Sequence, residues 1–209
     1  MLERLRAQAD KEDPSARARR QEHERTLGAT VYGQERVDIY GGAPLAIAAE
    51  VGRLLYVLAV SRRAHTIVEF GTSLGYSTVH LAAALSDVGG GSLITTELSA
   101  DKAKAAIANL TDAGLRDLVD LRVGDALHTL GRLGAGVDLL FLDGWNNLYR
   151  DVLELVGPRL APGALVVADM SRGDPELDHY RAYVLDPSSG YVSIELPLDE
   201  GVVISTRST

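Results

Sequence analysis

From residue 66 onward the chain repeats one pattern: a short apolar run, then a longer stretch with helical spacing. The runs fall at residues 66–70, 92–96, 118–123, 137–142 and 164–168. Such runs read as strands buried on both faces, since a strand with one wet face would alternate instead. Each interval is long enough for the crossover helix that parallel neighbours require. The tail breaks the pattern: apolar stretches at 191–196 and 201–205 flank Pro197-Leu198-Asp199-Glu200, a hairpin signal. The reading is an α/β protein with a doubly wound, mostly parallel seven-stranded sheet, a C-terminal antiparallel hairpin and helices on both faces.

The N-terminal segment differs. Charges of both signs alternate through residues 1–40, and Asp13-Pro14 reads as N-cap and first residue of a helix running to about Arg25. We expect residues 1–40 to form a helical arm, either a lid or a dimer contact, and residues 41–209 to form the main domain. Between them Val51, Leu54, Leu55 and Leu58 mark an amphipathic helix over 45–60.

Composition narrows the chemistry. With no cysteine, the chain has no disulfide, thiolate nucleophile, Cys-ligated zinc or iron–sulfur cluster. Twenty-one basic residues stand against 29 acidic ones, a net charge of −8 that supplies no bulk field for nucleic acid. The most apolar stretch, 43–60, carries Glu50 and Arg53 and is too short to span a bilayer. Residues 1–20 hold no apolar signal-peptide core, so a cytoplasmic location is expected.

Ligands of open α/β sheets bind beyond the carboxyl ends of the strands, so the residues after each run matter most. The first run leads into Glu69-Phe70-Gly71-Thr72-Ser73-Leu74-Gly75-Tyr76-Ser77, a glycine turn without the G-x-G-x-x-G spacing of a dinucleotide site. The second ends at Glu97, 28 residues after Glu69. A carboxylate there can accept from both hydroxyls of a ribose, or can serve the dipole of the following helix. Asp125 follows the third run as ligand contact or N-cap. Asp143-Gly144-Trp145 follows the fourth, with the only tryptophan, and Asp169 ends the fifth. Carboxylates gathered on one rim suit a cationic, ribose-bearing ligand.

Taken in order, VEFGTSLGYST (68–78), ITTEL (94–98), VGDAL (123–127), FLDGW (141–145) and VVAD (166–169) resemble the class I S-adenosylmethionine-dependent O-methyltransferases. The branch is that of the catechol and caffeoyl-CoA enzymes and their small bacterial relatives. The resemblance implies a Rossmann-like fold, S-adenosyl-L-methionine as cofactor, a small hydroxylated and aromatic acceptor, and a homodimer through the first 40 residues. It places Glu69, Gly71, Thr72, Tyr76 and Ser77 around the methionine end, with Ile47 as a further cofactor contact. Glu97 takes the ribose, Asp125 and Ala126 border the adenine, and Trp145 stacks on or flanks it. Asp143 faces the reacting centre as a catalytic residue.

Two departures from the family pattern stand out. The family's divalent-cation site uses the Asp after strand four and an Asp-Asn pair after strand five; here those places hold Asp143, Asp169 and Met170. A thioether is a poor ligand for magnesium. The catechol branch also has a lysine base just after its Asp-x-Trp segment, where this chain has Asn146. His179 is then the nearest alternative base, unless it is a surface histidine. Three competing readings follow: a tRNA hydroxyuridine O-methyltransferase using the arginines at 17, 19, 20 and 25, a cofactor-binding protein without transferase activity, and a nicotinamide dehydrogenase.

Overall fold

The computed structural model describes residues 1–207. The chain runs α1 (Leu2–Leu27), α2 (Gly33–Tyr40), α3 (Ala49–Arg62), β1 (Thr66–Phe70), α4 (Tyr76–Asp87), β2 (Ser92–Glu97), α5 (Ala100–Asp112), β3 (Val119–Val123), α6 (Ala126–Thr129) and β4 (Val137–Leu142). It continues through α7 (Tyr149–Val156), β5 (Leu160–Asp169), α8 (Asp178–Leu185), β6 (Tyr191–Leu196) and β7 (Val202–Arg207). The sheet order is β3-β2-β1-β4-β5-β7-β6, with β7 antiparallel to both neighbours and β1 to β5 parallel. The expected doubly wound sheet with its terminal hairpin is present.

Side-chain alternation divides the sheet between two cores. Ile67, Leu139, Phe141 and Val167 pack with Val51, Leu55, Leu81 and Leu85 on one face. Val68, Leu140, Leu142, Val166 and Ala168 pack with Val152, Leu153, Tyr180 and Val184 on the other. Both faces are dry, which is why the strands read as unbroken apolar runs.

The N-terminal helix differs from expectation. It begins at Leu2, and Pro14 lies inside it. A proline in a helix interior costs about 3 kcal/mol; tertiary contacts offset this. Leu5 joins the main core, and Ala16 packs with Tyr40 and Ala43. Asp13, far from capping a helix start, is buried; its carboxylate accepts from the backbone N–H groups of Leu45 (2.8 Å) and Ala46 (3.1 Å). Those bonds, and a left-handed Leu45 at φ 48°, hold the 43–48 link outside any helix, so α3 starts four residues later than its periodicity suggests.

Two glycines bring strand ends together. Gly71, at φ 101°, sits where an added Cβ would lie 2.4 Å from the Asp143 carbonyl oxygen. Gly144 presses on the Phe70 ring, its virtual Cβ also 2.4 Å away. The turns after β1 and β4 thus share one floor. Among the described residues no helix is long and apolar enough to cross a membrane.

Candidate active site

A cavity of about 900 Å³ lies over the carboxyl ends of the parallel strands, within the usual range for small-molecule sites. Its wall takes Gly71 and Ser73 from the turn after β1, Glu97 from β2, Asp125 and Ala126 from beyond β3, Asp143 and Trp145 from beyond β4, and Asp169 and Met170 from β5 and its exit. Ile47 adds to the wall from the 43–48 link, while Arg17 of α1 and Tyr40 of α2 cover it.

Glu97 is set in place by the backbone. One carboxylate oxygen accepts from the Ser73 N–H at 2.8 Å and the other from the Ser99 N–H at 2.8 Å. Each oxygen keeps a further lone pair for a ligand hydroxyl. Asp125 accepts from the Leu127 N–H at 2.8 Å as N-cap of α6 and also lines the cavity, so the two roles considered for it coexist.

The methionine-end residues are arranged differently. Gly71 lines the cavity, but Glu69, Thr72, Tyr76 and Ser77 are buried and are not among its lining residues. Glu69 accepts from the hydroxyls of Thr78 (2.7 Å) and Thr95 (2.6 Å), and Thr72 shares a hydrogen bond with Thr95. These groups brace the glycine turn from beneath. Burial pushes the Glu69 carboxyl up, while the hydroxyls of Ser77, Thr95 and Thr78 pull it back.

At the other end stand Asp143 and Asp169. Burial raises the Asp143 carboxyl well above the carboxylate range, and Asp169 and Glu69 add to the rise. Asp169 is pushed up to about 7 by burial and by the charges of Asp199 and Glu200. Its Oδ1 is buried without a hydrogen-bond partner. Two carboxyls in this condition favour a cationic ligand.

Trp145 stacks on Tyr40 with ring centroids 5.6 Å apart, and the Arg36 guanidinium lies 5.2 Å from its ring. Arg36, 1% exposed, also donates both terminal nitrogens to Glu176 at 3.0 and 2.6 Å and its Nε to the Val31 carbonyl. The tryptophan is therefore fixed by the N-terminal helices while still presenting part of its surface to the cavity.

His179 does not reach this site. It projects from the exposed side of α8, whose buried face carries Tyr180 and Val184, and it is not among the lining residues. Asn146 lines the cavity with its amide committed to Asp174 at 2.9 Å. Sequence reasoning missed Lys102, which lines the cavity and is nearly fully buried. It is the third helical residue after the Ser99 cap, and side chains there lean back toward the helix N-terminus, hence toward the strand ends.

Comparison with known proteins agrees with this geometry. A family profile described as "Methyltransferase domain" matches residues 68–169. A catechol O-methyltransferase of Niastella koreensis is 35% identical over 133 residues, which span 62% of this chain and 59% of that relative. The crystal structure of the O-methyltransferase TomG from Streptomyces achromogenes, involved in tomaymycin synthesis and solved with SAM, is 29% identical with a TM-score of 0.68, covering 79% of this chain and 82% of TomG. An O-methyltransferase from Bacillus cereus, solved with SAH, gives 25% identity and a TM-score of 0.69, covering 78% of this chain and 83% of that one. In its profile match, its curated relative and these two structures the chain is thus similar to S-adenosylmethionine-dependent O-methyltransferases, and it spans about three fifths of the curated relative's length.

Proposed function

We propose that this chain transfers a methyl group from S-adenosylmethionine to a hydroxyl of a small aromatic acceptor. The observation that carries the reading is the polarity of the cavity. A carboxylate pre-held by two backbone N–H groups stands at β2, and two partly exposed carboxyls with raised affinity for protons stand just beyond β4 and at the end of β5.

When bound, S-adenosylmethionine would supply a methyl group activated on a sulfonium, the acceptor's new C–O bond replacing the C–S bond so that S-adenosylhomocysteine leaves and the hydroxyl proton passes to solvent. Glu97 accepts from the ribose hydroxyls. Asp143 faces the cationic part of the ligand and orients the acceptor oxygen. Trp145 and the covering helices keep water out and fix the approach; alignment alone removes on the order of 7–11 kcal/mol of a bimolecular barrier.

The residues present do not make a hard-cation cage. Asp143 and Asp169 offer two carboxylates, the third family position is a buried methionine, and among the described residues no cluster of three His, Asp or Glu side chains could hold a metal. The arginines proposed for tRNA are engaged: Arg17 with Glu200, Arg20 with Glu24, Arg25 with Glu22, and Arg19 with the Ile39 carbonyl. That pairing favours a small molecule over RNA.

The test is radiolabelled methyl transfer to pooled phenolic acceptors, run with magnesium and with chelator. We expect transfer in both, within about threefold of each other, since a bound cation's polarisation is worth far more where it is used. Tight cofactor binding with no transfer to any hydroxylated acceptor would instead favour the binding protein. We place the homodimer in the same proposal. Truncation before Val31 followed by sizing tests its route: an unchanged dimer refutes pairing through α1 and α2.

A further inference from the structure

We propose that Lys102 anchors the α-carboxylate of the cofactor's amino-acid portion, an assignment that rests on the S-adenosylmethionine reading above. Lys102 is 6% exposed, on the first turn of α5, and lines the cavity. Its Nζ donates to the Ser73 hydroxyl across 3.4 Å, a long bond, and among the described residues no carboxylate lies within 4.0 Å of it. A buried ammonium without a counter-charge is costly. The carboxylates that act on it from further away, Glu97 and Asp13, each accept two backbone N–H bonds of their own. The anion that would complete Lys102 is therefore missing from the chain itself.

The topology says which anion fits. Lys102 bonds to the turn after β1 beside β2, whereas Asp143 and Asp169 follow β4 and β5, across the sheet's switch point. Lys102 therefore stands on the β1–β2 side of the cavity, with Glu97, and Asp143 and Asp169 stand on the β4–β5 side, where Arg17 acts on both. A ligand that carries a carboxylate together with an ammonium and a sulfonium matches that separation: the carboxylate turns toward Lys102 and the cations toward the acids. An uncharged nucleoside thioether would gain nothing from Lys102.

Calorimetry with two ligands tests this. S-adenosylhomocysteine carries the amino-acid portion; 5′-methylthioadenosine lacks it. In Lys102→Met, binding of S-adenosylhomocysteine is expected to weaken roughly tenfold to a hundredfold, the worth of a charge-assisted hydrogen bond. Binding of 5′-methylthioadenosine should stay within about twofold, which also reports that the variant is folded. Lys102→Arg should recover part of the loss. Equal weakening of both ligands would overturn the proposal, because it would place Lys102 at the ribose or in support of Glu97. No change in either would overturn it as well. A second route needs no variant: decarboxylated S-adenosylhomocysteine should bind the native protein as weakly as the full ligand binds Lys102→Met, and a difference beyond about threefold contradicts the assignment. A native protein that binds none of these ligands would instead show that the cofactor reading itself is wrong.

Discussion

Glu97→Ala loses S-adenosylhomocysteine binding by about two to three decades. The side chain contributes two charge-assisted hydrogen bonds to ribose hydroxyls, each worth about 1.5–3 kcal/mol. Its other two bonds, to the N–H groups of Ser73 and Ser99, hold it in position before any ligand arrives. Glu97→Gln is expected to be nearly as damaging. One carboxamide oxygen cannot accept from both backbone donors, so the –NH₂ must face an N–H or the chain must shift. A calorimetric titration checks both variants. Affinity of Glu97→Gln within about threefold of native would show that the charge and the two-oxygen geometry are not used.

Asp169→Asn raises thermal stability at pH 8 and does nothing comparable at pH 4. The folded carboxyl is held up to about 7, against an ordinary value of 3.8. The sign follows directly: the folded state keeps its proton where the unfolded chain has released it. The group therefore does no harm below about pH 4, and stability is lost progressively as pH rises through 7. The full shift corresponds to about 4 kcal/mol, and water in the cavity beside Asp169 reduces it to about 2 kcal/mol. For a chain of this size that amounts to a gain of roughly 5 °C in the variant at pH 8. Neutralising Asp169 also relieves Asp143, whose own rise Asp169 feeds, so the effect reinforces itself. Melting curves from pH 4 to pH 8 without ligand settle it. A variant that is less stable than native at pH 8 would mean that Asp169 is paired in solution.

What the sequence reveals follows from the range of the forces involved. Strand runs are legible because burial on both sheet faces leaves an unbroken apolar stretch, and the carboxyl-end rule then picks out Glu97, Asp125, Asp143 and Asp169 without any knowledge of contacts. Pro14 misleads because its local preference is for a helix start, whereas packing of Leu5 and Ala16 and the bonds from Asp13 to residues more than thirty positions away decide the outcome. Ile47 reaches the cavity through that same link, from an extended segment where periodicity suggests a helix. His179 shows the opposite limit: its position after the fifth strand is right for a site, but the face of α8 it occupies depends on which side of the helix packs on the sheet. Lys102 is the instructive omission. Its place on the turn after a capped strand end points inward, a signal that helix geometry supplies once the Ser99 cap is recognised.

Titration of the purified chain with S-adenosylhomocysteine bears most directly on the central claim, that the rim of this sheet holds a sulfur nucleoside between Glu97 and Asp143. The account predicts saturable one-to-one binding that Glu97→Ala removes. An absence of heat at millimolar ligand, or native-like binding by Glu97→Ala, would contradict it.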